Sequence, residues 1–218
     1  MKRKETETQS VEYPSVQEMT DDQQIGIIKG IFASITDKYD FLNRFLSVYQ
    51  DVAWRKRAVS EMNFFNSYRF LDVATGTGDL ALDCANTYEN VNVTGVDFVE
   101  EMVDKGIEKV GTQNLNDRIS LTWGDATNLA FEDSSFDVVI AINTLHNLDK
   151  EDFAVALREV ERVSRKGAFV TVDAFRNEEE KEAMLAWNLT AKTILSVDEW
   201  IEFYDECGYT GDYYWCML

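Results

Sequence analysis

Residues 70–81 constrain the fold more than any other stretch of this 218-residue chain. They read as a short apolar strand, a turn with Gly76 and Gly78, and the start of a helix. Glycine allows a tight turn and a close approach of a ligand to the backbone, and the first turn of a helix offers unpaired N–H groups. A second apolar run, residues 91–96, ends in Asp97. A carboxylate at that point of a βαβ unit holds ribose hydroxyls, so the two segments predict an adenosine-containing ligand.

Strands and helices alternate after this turn. The strands are short, mostly apolar and without polar alternation, which is typical of a sheet covered by helices on both faces. Strands are predicted near residues 69–74, 92–96, 119–123, 136–142 and 168–173, and helices near residues 79–88, 100–110, 151–164, 178–191 and 197–207. An aromatic run over residues 209–215 is predicted to form an edge strand. The pattern predicts an α/β fold with a doubly wound, mostly parallel sheet.

The N-terminal part differs in composition from the rest. Residues 1–22 are polar with little periodicity and are expected to form a flexible tail. Apolar residues then recur at helical spacing over residues 23–64, which predicts a helical cap over the ligand site. Together with an α/β core over residues 68–218, this cap is expected to form one domain spanning residues 23–218.

Charge and cysteine content exclude several classes of function. The formal net charge of −19 opposes binding to nucleic acid and to anionic membranes. The three cysteines are scattered without paired spacing, so no disulfide framework and no zinc or other metal site is predicted. No apolar run is long enough to be a transmembrane segment, and the expected location is cytoplasmic.

The glycine turn alone does not identify the ligand, because residues 76–81 also fit the G-x-G-x-x-A pattern of dinucleotide sites. Asp72, just before the turn, suits the amino group of a zwitterionic ligand and would oppose a pyrophosphate. Asp125 follows the third strand, where it can accept from the exocyclic amine of adenine, and Ala126 leaves room for the ring. The fourth strand runs into a polar loop over residues 143–147.

These segments resemble the successive motifs of the Rossmann-fold S-adenosylmethionine-dependent methyltransferases. The resemblance rests on residues 72–78, Asp97, residues 125–126 and the strand beginning at Phe136, and it covers roughly residues 26–167.

The stretches 31–47, 54–59, 72–79 and 95–98 are similar to the ubiquinone/menaquinone-biosynthesis C-methyltransferases.

The resemblance implies S-adenosyl-L-methionine as cofactor. It implies that Thr77 contacts the cofactor in the glycine turn, that Asp97 holds the ribose, and that Tyr39 reaches the cofactor from the N-terminal helices. The candidate cofactor-binding residues are Tyr39, Asp72, Ala74, Thr75, Gly76, Thr77, Gly78, Asp97, Phe98, Met102, Asp125, Ala126 and Asn143.

The chain departs from that family on the side of the acceptor. His146 stands in the loop after strand four, where the quinone family carries an arginine, and residues 165–167 replace its Pro-Gly-Gly. His146 is the only histidine of the chain and is the candidate catalytic residue. It is expected to act as a general base or to orient the acceptor. The alternative is a loop histidine that packs or binds a backbone carbonyl.

The predicted function is transfer of a methyl group to a small, ring-containing acceptor, quinol-like or another metabolite. A nicotinamide-dependent oxidoreductase is one alternative, opposed by Asp72 and by the lack of a recognisable tyrosine–lysine pair. A catalytically silent protein that binds S-adenosylmethionine is the other. The aromatic C-terminal part is interpreted as core or as a subunit interface, which allows a homodimer, or else as the lining of an apolar acceptor pocket.

Overall fold

Seven strands form one sheet in which every pairing of the described residues is parallel. The structure is a computed structural model that describes residues 26, 30, 36, 50–62, 68–188 and 190–217. The strands are β1 Arg69–Val73, β2 Asn92–Asp97, β3 Ile119–Trp123, β4 Phe136–Ile142, β5 Ser164–Phe175, β6 Leu195–Ser196 and β7 Asp212–Cys216. The helices are α1 Gln50–Glu61, α2 Asp79–Thr87, α3 Glu100–Thr112, α4 Lys150–Val163, α5 Glu178–Trp187 and α6 Val197–Cys207.

The strand order creates a crevice at one edge of the sheet. It runs β3-β2-β1-β4-β5-β6, and β7 also pairs with β5. The chain moves outward in one direction from β1 to β3 and in the other from β4 to β5, so the order reverses between β1 and β4. Ligands of open α/β sheets bind beyond the carboxyl ends of the strands at such a reversal.

Helices cover both faces of the sheet, because successive strand residues point to opposite sides. Phe70 packs into a core with residues of α1, α2 and α3. Leu71 packs into a second core with residues of α4 and α6. The predicted doubly wound fold is therefore confirmed.

Two predicted boundaries differ from the structure by four residues. Helix α5 ends at Trp187 instead of 191, because Asn188 Oδ1 accepts from the backbone N–H groups of Thr190 and Ala191 and turns the chain. Strand β5 starts at Ser164, earlier than predicted, since that residue pairs with the first residue of β4. The predicted edge strand is β7, which pairs with β5.

Helix α1 is the described part of the expected N-terminal cap, together with residues 26, 30 and 36. It packs on α2, where the Arg55 guanidinium lies 3.3 Å from Asp79 and 3.0 Å from Asp83. Tyr39 lies outside the described residues, and the placement of a cap over the ligand site stays a prediction. No described helix has the length and apolar character needed to cross a membrane.

Candidate active site

A cleft of about 320 Å³ opens at the carboxyl ends of β1 to β4. Eight of the thirteen predicted cofactor-binding residues line it: Ala74, Gly76, Asp97, Phe98, Met102, Asp125, Ala126 and Asn143. The cleft extends from the tips of β1, β2 and β3 to the turn after β4 and the start of α4. One continuous space therefore joins the predicted nucleoside end to a second end beyond β4.

The glycine turn is shaped by three residues in the left-handed backbone region. Ala74, Gly76 and Gly78 have φ values of 60°, 56° and 74°. A side chain at Gly78 would also clash, since an added Cβ would lie 2.9 Å from Leu121 Cδ1. The chain thus reverses sharply after β1 and exposes Gly76 to the cleft, as the sequence predicts.

Asp97 ties the turn to the tip of β2. Its two carboxylate oxygens accept from the backbone N–H groups of Gly76, at 2.7 Å, and Val99, at 2.9 Å. Burial raises the pKa of Asp97 above its ordinary value, although these N–H groups oppose the shift. Each carboxylate oxygen has a further lone pair, so Asp97 can also accept from hydroxyl groups of a ligand in the cleft.

Four other predicted residues, which lie in the turn or directly before it, do not line the cleft. Asp72 is buried and accepts from the Thr75 hydroxyl at 2.7 Å. Burial raises the pKa of Asp72 to about 7, with the Thr75 hydroxyl opposing and the Asp97 charge adding to the shift. The Thr77 hydroxyl accepts from Lys109 Nζ at 3.0 Å, and Gly78 packs on β3. These side chains shape the turn, and direct cofactor contacts by them stay a prediction.

The tip of β3 provides the expected adenine end. One oxygen of Asp125 accepts from the backbone N–H and the hydroxyl of Thr127, both at 2.8 Å. Trp123 Nε1 donates to the Phe98 carbonyl at 3.1 Å, which fixes the backbone after β2 beside the cleft. Phe98 and Ala126 thus face the same space as the Asp125 carboxylate.

His146 is buried and its ring does not line the cleft. Its Nδ1 accepts from the backbone N–H of Asp173 at 3.3 Å, and its Nε2 lies 3.3 Å from Asn188 Nδ2 and 3.9 Å from the Asp173 carboxylate. Burial lowers the pKa of His146, and the Asp173 charge partly offsets this. The placement accords with the packed alternative, with an N–H group bound instead of a carbonyl. A direct role in proton transfer stays a prediction.

Sequence reasoning missed several residues at the second end of the cleft. Asp149, Asp152 and Lys192 line it beside Leu145 and Asn147. Asp149 caps α4 by accepting from the Asp152 N–H at 2.9 Å, and an aspartate before an apolar helical run is a cap signal that could have been read. Lys192 carried no local signal, because it reaches the cleft from a loop distant in sequence.

Comparison with known proteins decides the family. The family model described as ubiE/COQ5 methyltransferase family matches residues 17–200. The chain belongs to the ubiE/COQ5 methyltransferase family.

Curated relatives of this family member include two quinone-biosynthesis proteins. The ubiquinone/menaquinone biosynthesis C-methyltransferase UbiE of Geotalea daltonii is 39% identical over 150 residues, which is 68% of this chain and 63% of that protein. The demethylmenaquinone methyltransferase of Staphylococcus aureus is 38% identical over 141 residues, or 64% of this chain and 56% of that protein. The chain thus spans less than two thirds of the length of these relatives.

Solved structures share the fold. A chain from the complex between the Haloferax volcanii Trm112 methyltransferase activator and its "putative methyltransferase" has a TM-score of 0.64 at 20% identity, covering 81% of this chain and 75% of that one. The mitomycin 7-O-methyltransferase MmcR has a TM-score of 0.63 at 16% identity, covering 81% and 54%. The predicted Rossmann-like methyltransferase architecture is confirmed.

The cleft fits S-adenosylmethionine, the cofactor that family membership implies. Asp97 and Asp125 stand at the tips of neighbouring strands beside an open glycine turn. No lysine or arginine is found among the described residues that line this end. A carboxylate-rich site suits a sulfonium cation, whereas the pyrophosphate of a nicotinamide dinucleotide would face two aspartates without a cation.

Proposed function

We propose that this chain transfers a methyl group from S-adenosylmethionine to a carbon atom of a small hydroxylated ring, such as a quinol. The observation that carries the proposal is the continuity of this cleft, which joins the nucleoside end at β1, β2 and β3 to a second end at the turn after β4. A donor and an acceptor can lie there in contact. The names of the UbiE and demethylmenaquinone relatives support a quinol-like acceptor and a carbon nucleophile.

The residues of the cleft act by position and electrostatics. When bound, S-adenosylmethionine supplies an electrophilic methyl group on a positively charged sulfur. Asp97 and Gly76 would hold the ribose end, and Asp125 with Ala126 would hold the adenine, since all four residues line the cleft. Residues 143–149 would hold the ring with one carbon atom facing that methyl group, and the proton released from the ring carbon would pass to water. Close alignment of the two reactants supplies much of the acceleration.

In this proposal, His146 orients the acceptor wall, which is the part of residues 143–149 that faces the cleft. Its ring bonds to β5 through Asp173 N–H, while its neighbours Leu145 and Asn147 face the cleft. The lowered pKa keeps the ring neutral near pH 7, so the ring adds no charge behind the acceptor.

Calorimetric titration with S-adenosylmethionine, its demethylated product and NAD tests the cofactor. We expect both sulfur nucleosides to bind and NAD not to bind. Binding of NAD alone would show that the glycine turn binds a dinucleotide, as in a dehydrogenase, and would overturn the proposal.

Incubation with S-adenosylmethionine and a naphthohydroquinone or a benzohydroquinone tests the reaction. We expect a product heavier by one methylene group, with the new carbon bonded to the ring in its NMR spectrum. A methyl ether would instead show oxygen methylation. Cofactor binding without any methylated product from either ring would contradict the proposed activity and support the alternative of a catalytically silent protein that binds S-adenosylmethionine.

A further inference from the structure

The second end of the cleft is built from two segments that are far apart in sequence. One is the turn after β4, from which residues 143–145 and 147–149 line the cleft, and the other is the loop between α5 and β6, which contributes Lys192. The cofactor end uses β1, β2 and β3, and β4 lies on the opposite side of β1 from β2. The acceptor of the proposed function must therefore lie against these two segments.

The loop that carries Lys192 is fixed to the turn after β4 by backbone and side-chain hydrogen bonds. The N–H groups of Lys192 and Thr193 donate to the His146 carbonyl at 2.9 and 3.0 Å. The Thr193 hydroxyl donates to the Leu148 carbonyl at 2.8 Å. These bonds set the backbone of Lys192 directly beside the acceptor wall.

Buried groups hold the same loop from behind. Asn188 Nδ2 donates to the Asp173 carboxylate at 2.5 Å and lies 3.3 Å from His146 Nε2. Both His146 and Asp173 are 2% exposed. Since β5, the turn and the loop share this network, the position of Lys192 is determined by the core of the protein.

Lys192 has the opposite charge to the other ionisable groups of the cleft. It is the one lysine or arginine among the described lining residues, against four aspartates, Asp97, Asp125, Asp149 and Asp152. The whole chain has 40 acidic and 21 basic residues. A cation brought to this end by a distant loop is suited to an anionic atom of the acceptor.

Ionisation matters for a carbon nucleophile on a hydroxylated ring. A phenolate pushes electron density into its ring far more strongly than the neutral phenol does, and a nearby ammonium group favours the ionised form. Resting on the proposed function, we infer that Lys192 recognises an ionised ring oxygen of the acceptor. The substrate class is therefore a ring with an acidic hydroxyl group, and the hydroxyl proton passes to water when the ring binds. A role limited to neutralising Asp149 and Asp152 is the competing explanation.

The test uses 4-nitrocatechol, whose absorption spectrum reports its own ionisation, with the protein saturated by the demethylated cofactor. We expect the wild type to lower the pKa of the bound probe, with the ionisation constant raised about tenfold, as a neighbouring opposite charge does. Lys192→Gln is expected to lose this shift and to bind the probe about tenfold more weakly. Lys192→Arg keeps the charge and is expected to retain most of the shift.

Lys105→Gln is the matched control. It removes the same charge on α3, where Lys105 pairs with Glu108 outside the cleft, and is expected to leave the probe unchanged. Equal probe affinity and equal probe pKa in the wild type and Lys192→Gln would overturn the inference, whatever happens to stability. So would a wild type that does not bind the probe.

The outcome is separable from that of the proposed function. A wild type that ionises the probe through Lys192 but methylates no hydroquinone contradicts methyl transfer and supports the recognition role. A wild type that methylates hydroquinones while Lys192→Gln discriminates equally between a hydroquinone and its dimethyl ether overturns the role of Lys192 alone.

Discussion

Buried aspartates lie both where the parallel strands begin, called here the amino edge, and where they end, called the carboxyl edge. Their pKa values shift in opposite directions at the two edges. At the amino edge, Asp137 accepts from the backbone N–H groups of Tyr68 and Arg69 and pairs with Arg165 and Lys166. Although burial alone would raise it, these partners hold the pKa of Asp137 far below its usual range.

At the carboxyl edge, no described lysine or arginine pairs with Asp72 or Asp97 to offset the cost of burying a charge. Burial raises the pKa of Asp72 to about 7 and that of Asp97 above its ordinary value. Their described hydrogen-bond partners are Thr75 and backbone N–H groups, without a lysine or arginine. The same residue type stabilises the fold at one edge, whereas at the other its ionised form is costly until a cationic ligand offsets the burial.

The dependence of stability on pH should separate the two edges most strongly. The pKa of Asp72 is about 7 in the folded chain and 3.8 ordinarily, so between these values the folded state binds a proton that the unfolded state lacks. Asp72 therefore makes the free energy of unfolding fall as pH rises from about 4 to 7, by up to about 1.4 kcal/mol per pH unit. The contribution of Asp137 has the opposite sign and is lost as pH falls below its ordinary pKa.

Urea denaturation across this pH range checks the prediction. The difference between the wild type and Asp72→Asn is expected between pH 4 and 7, and the difference between the wild type and Asp137→Asn at more acidic pH. Parallel curves for the wild type and Asp72→Asn would show that the carboxyl edge is not energetically distinct.

Asp137→Ala tests whether the amino edge serves stability alone. The change removes the acceptor of two backbone N–H groups and the partner of Arg165, and we expect a loss of about 3 kcal/mol in the free energy of unfolding. Affinity for S-adenosylmethionine, measured by calorimetry on the folded protein, should not change. A variant of full stability, or one with weakened cofactor binding, would contradict the division between the edges.

Asp97→Asn is the matching change at the carboxyl edge. The amide has one oxygen in place of two and no charge, so it cannot serve Gly76, Val99 and a ribose together. We expect a ten- to hundredfold loss of cofactor affinity, about 1.4 to 2.7 kcal/mol, with a smaller effect on stability than that of Asp137→Ala. Unchanged affinity would mean that Asp97 only shapes the turn.

The sequence predicted those elements whose signals lie within their own segment of the chain. Strand Ile119–Trp123 and helix Val197–Cys207 were predicted to the residue, since apolar residues recur in each at the spacing of its secondary structure, between turn or cap signals. The cofactor end of the cleft was readable for the same reason, because Gly76 and Asp97 belong to one βαβ unit.

The acceptor end depends on tertiary packing. The end of α5 follows from Asn188, whose side chain is held by Asp173 at the far end of β5. Lys192 enters the cleft only because that loop then bonds to His146. No periodicity in the sequence reports such contacts, which is why the sequence left both the catalytic and the packed interpretation of His146 open.

Backbone strain occurs at both edges, so relieving it allows a direct comparison of the two, although the expected changes in the free energy of unfolding are the smallest. Ala74 follows β1 at the carboxyl edge with φ 60°, and Ser134 precedes β4 at the amino edge with φ 54°. The left-handed region costs a residue with a Cβ about 1 to 2 kcal/mol, partly offset by the entropy that glycine loses on folding. Ala74→Gly and Ser134→Gly should each raise the free energy of unfolding by about 0.5 to 1 kcal/mol.

Only the change at Ala74 is expected to alter cofactor affinity. Ala74 lines the cleft, and a freer backbone there loses part of the preorganisation of the turn on which the ribose end rests. Ser134 N–H bonds to the Arg162 carbonyl away from the cleft, so its variant should gain stability without any change in binding. Paired urea titrations and calorimetry measure both quantities. Equal effects of the two changes on cofactor affinity would mean that backbone strain acts through the whole sheet. An effect of the Ala74 change alone would assign the strain at the carboxyl edge a function in cofactor binding.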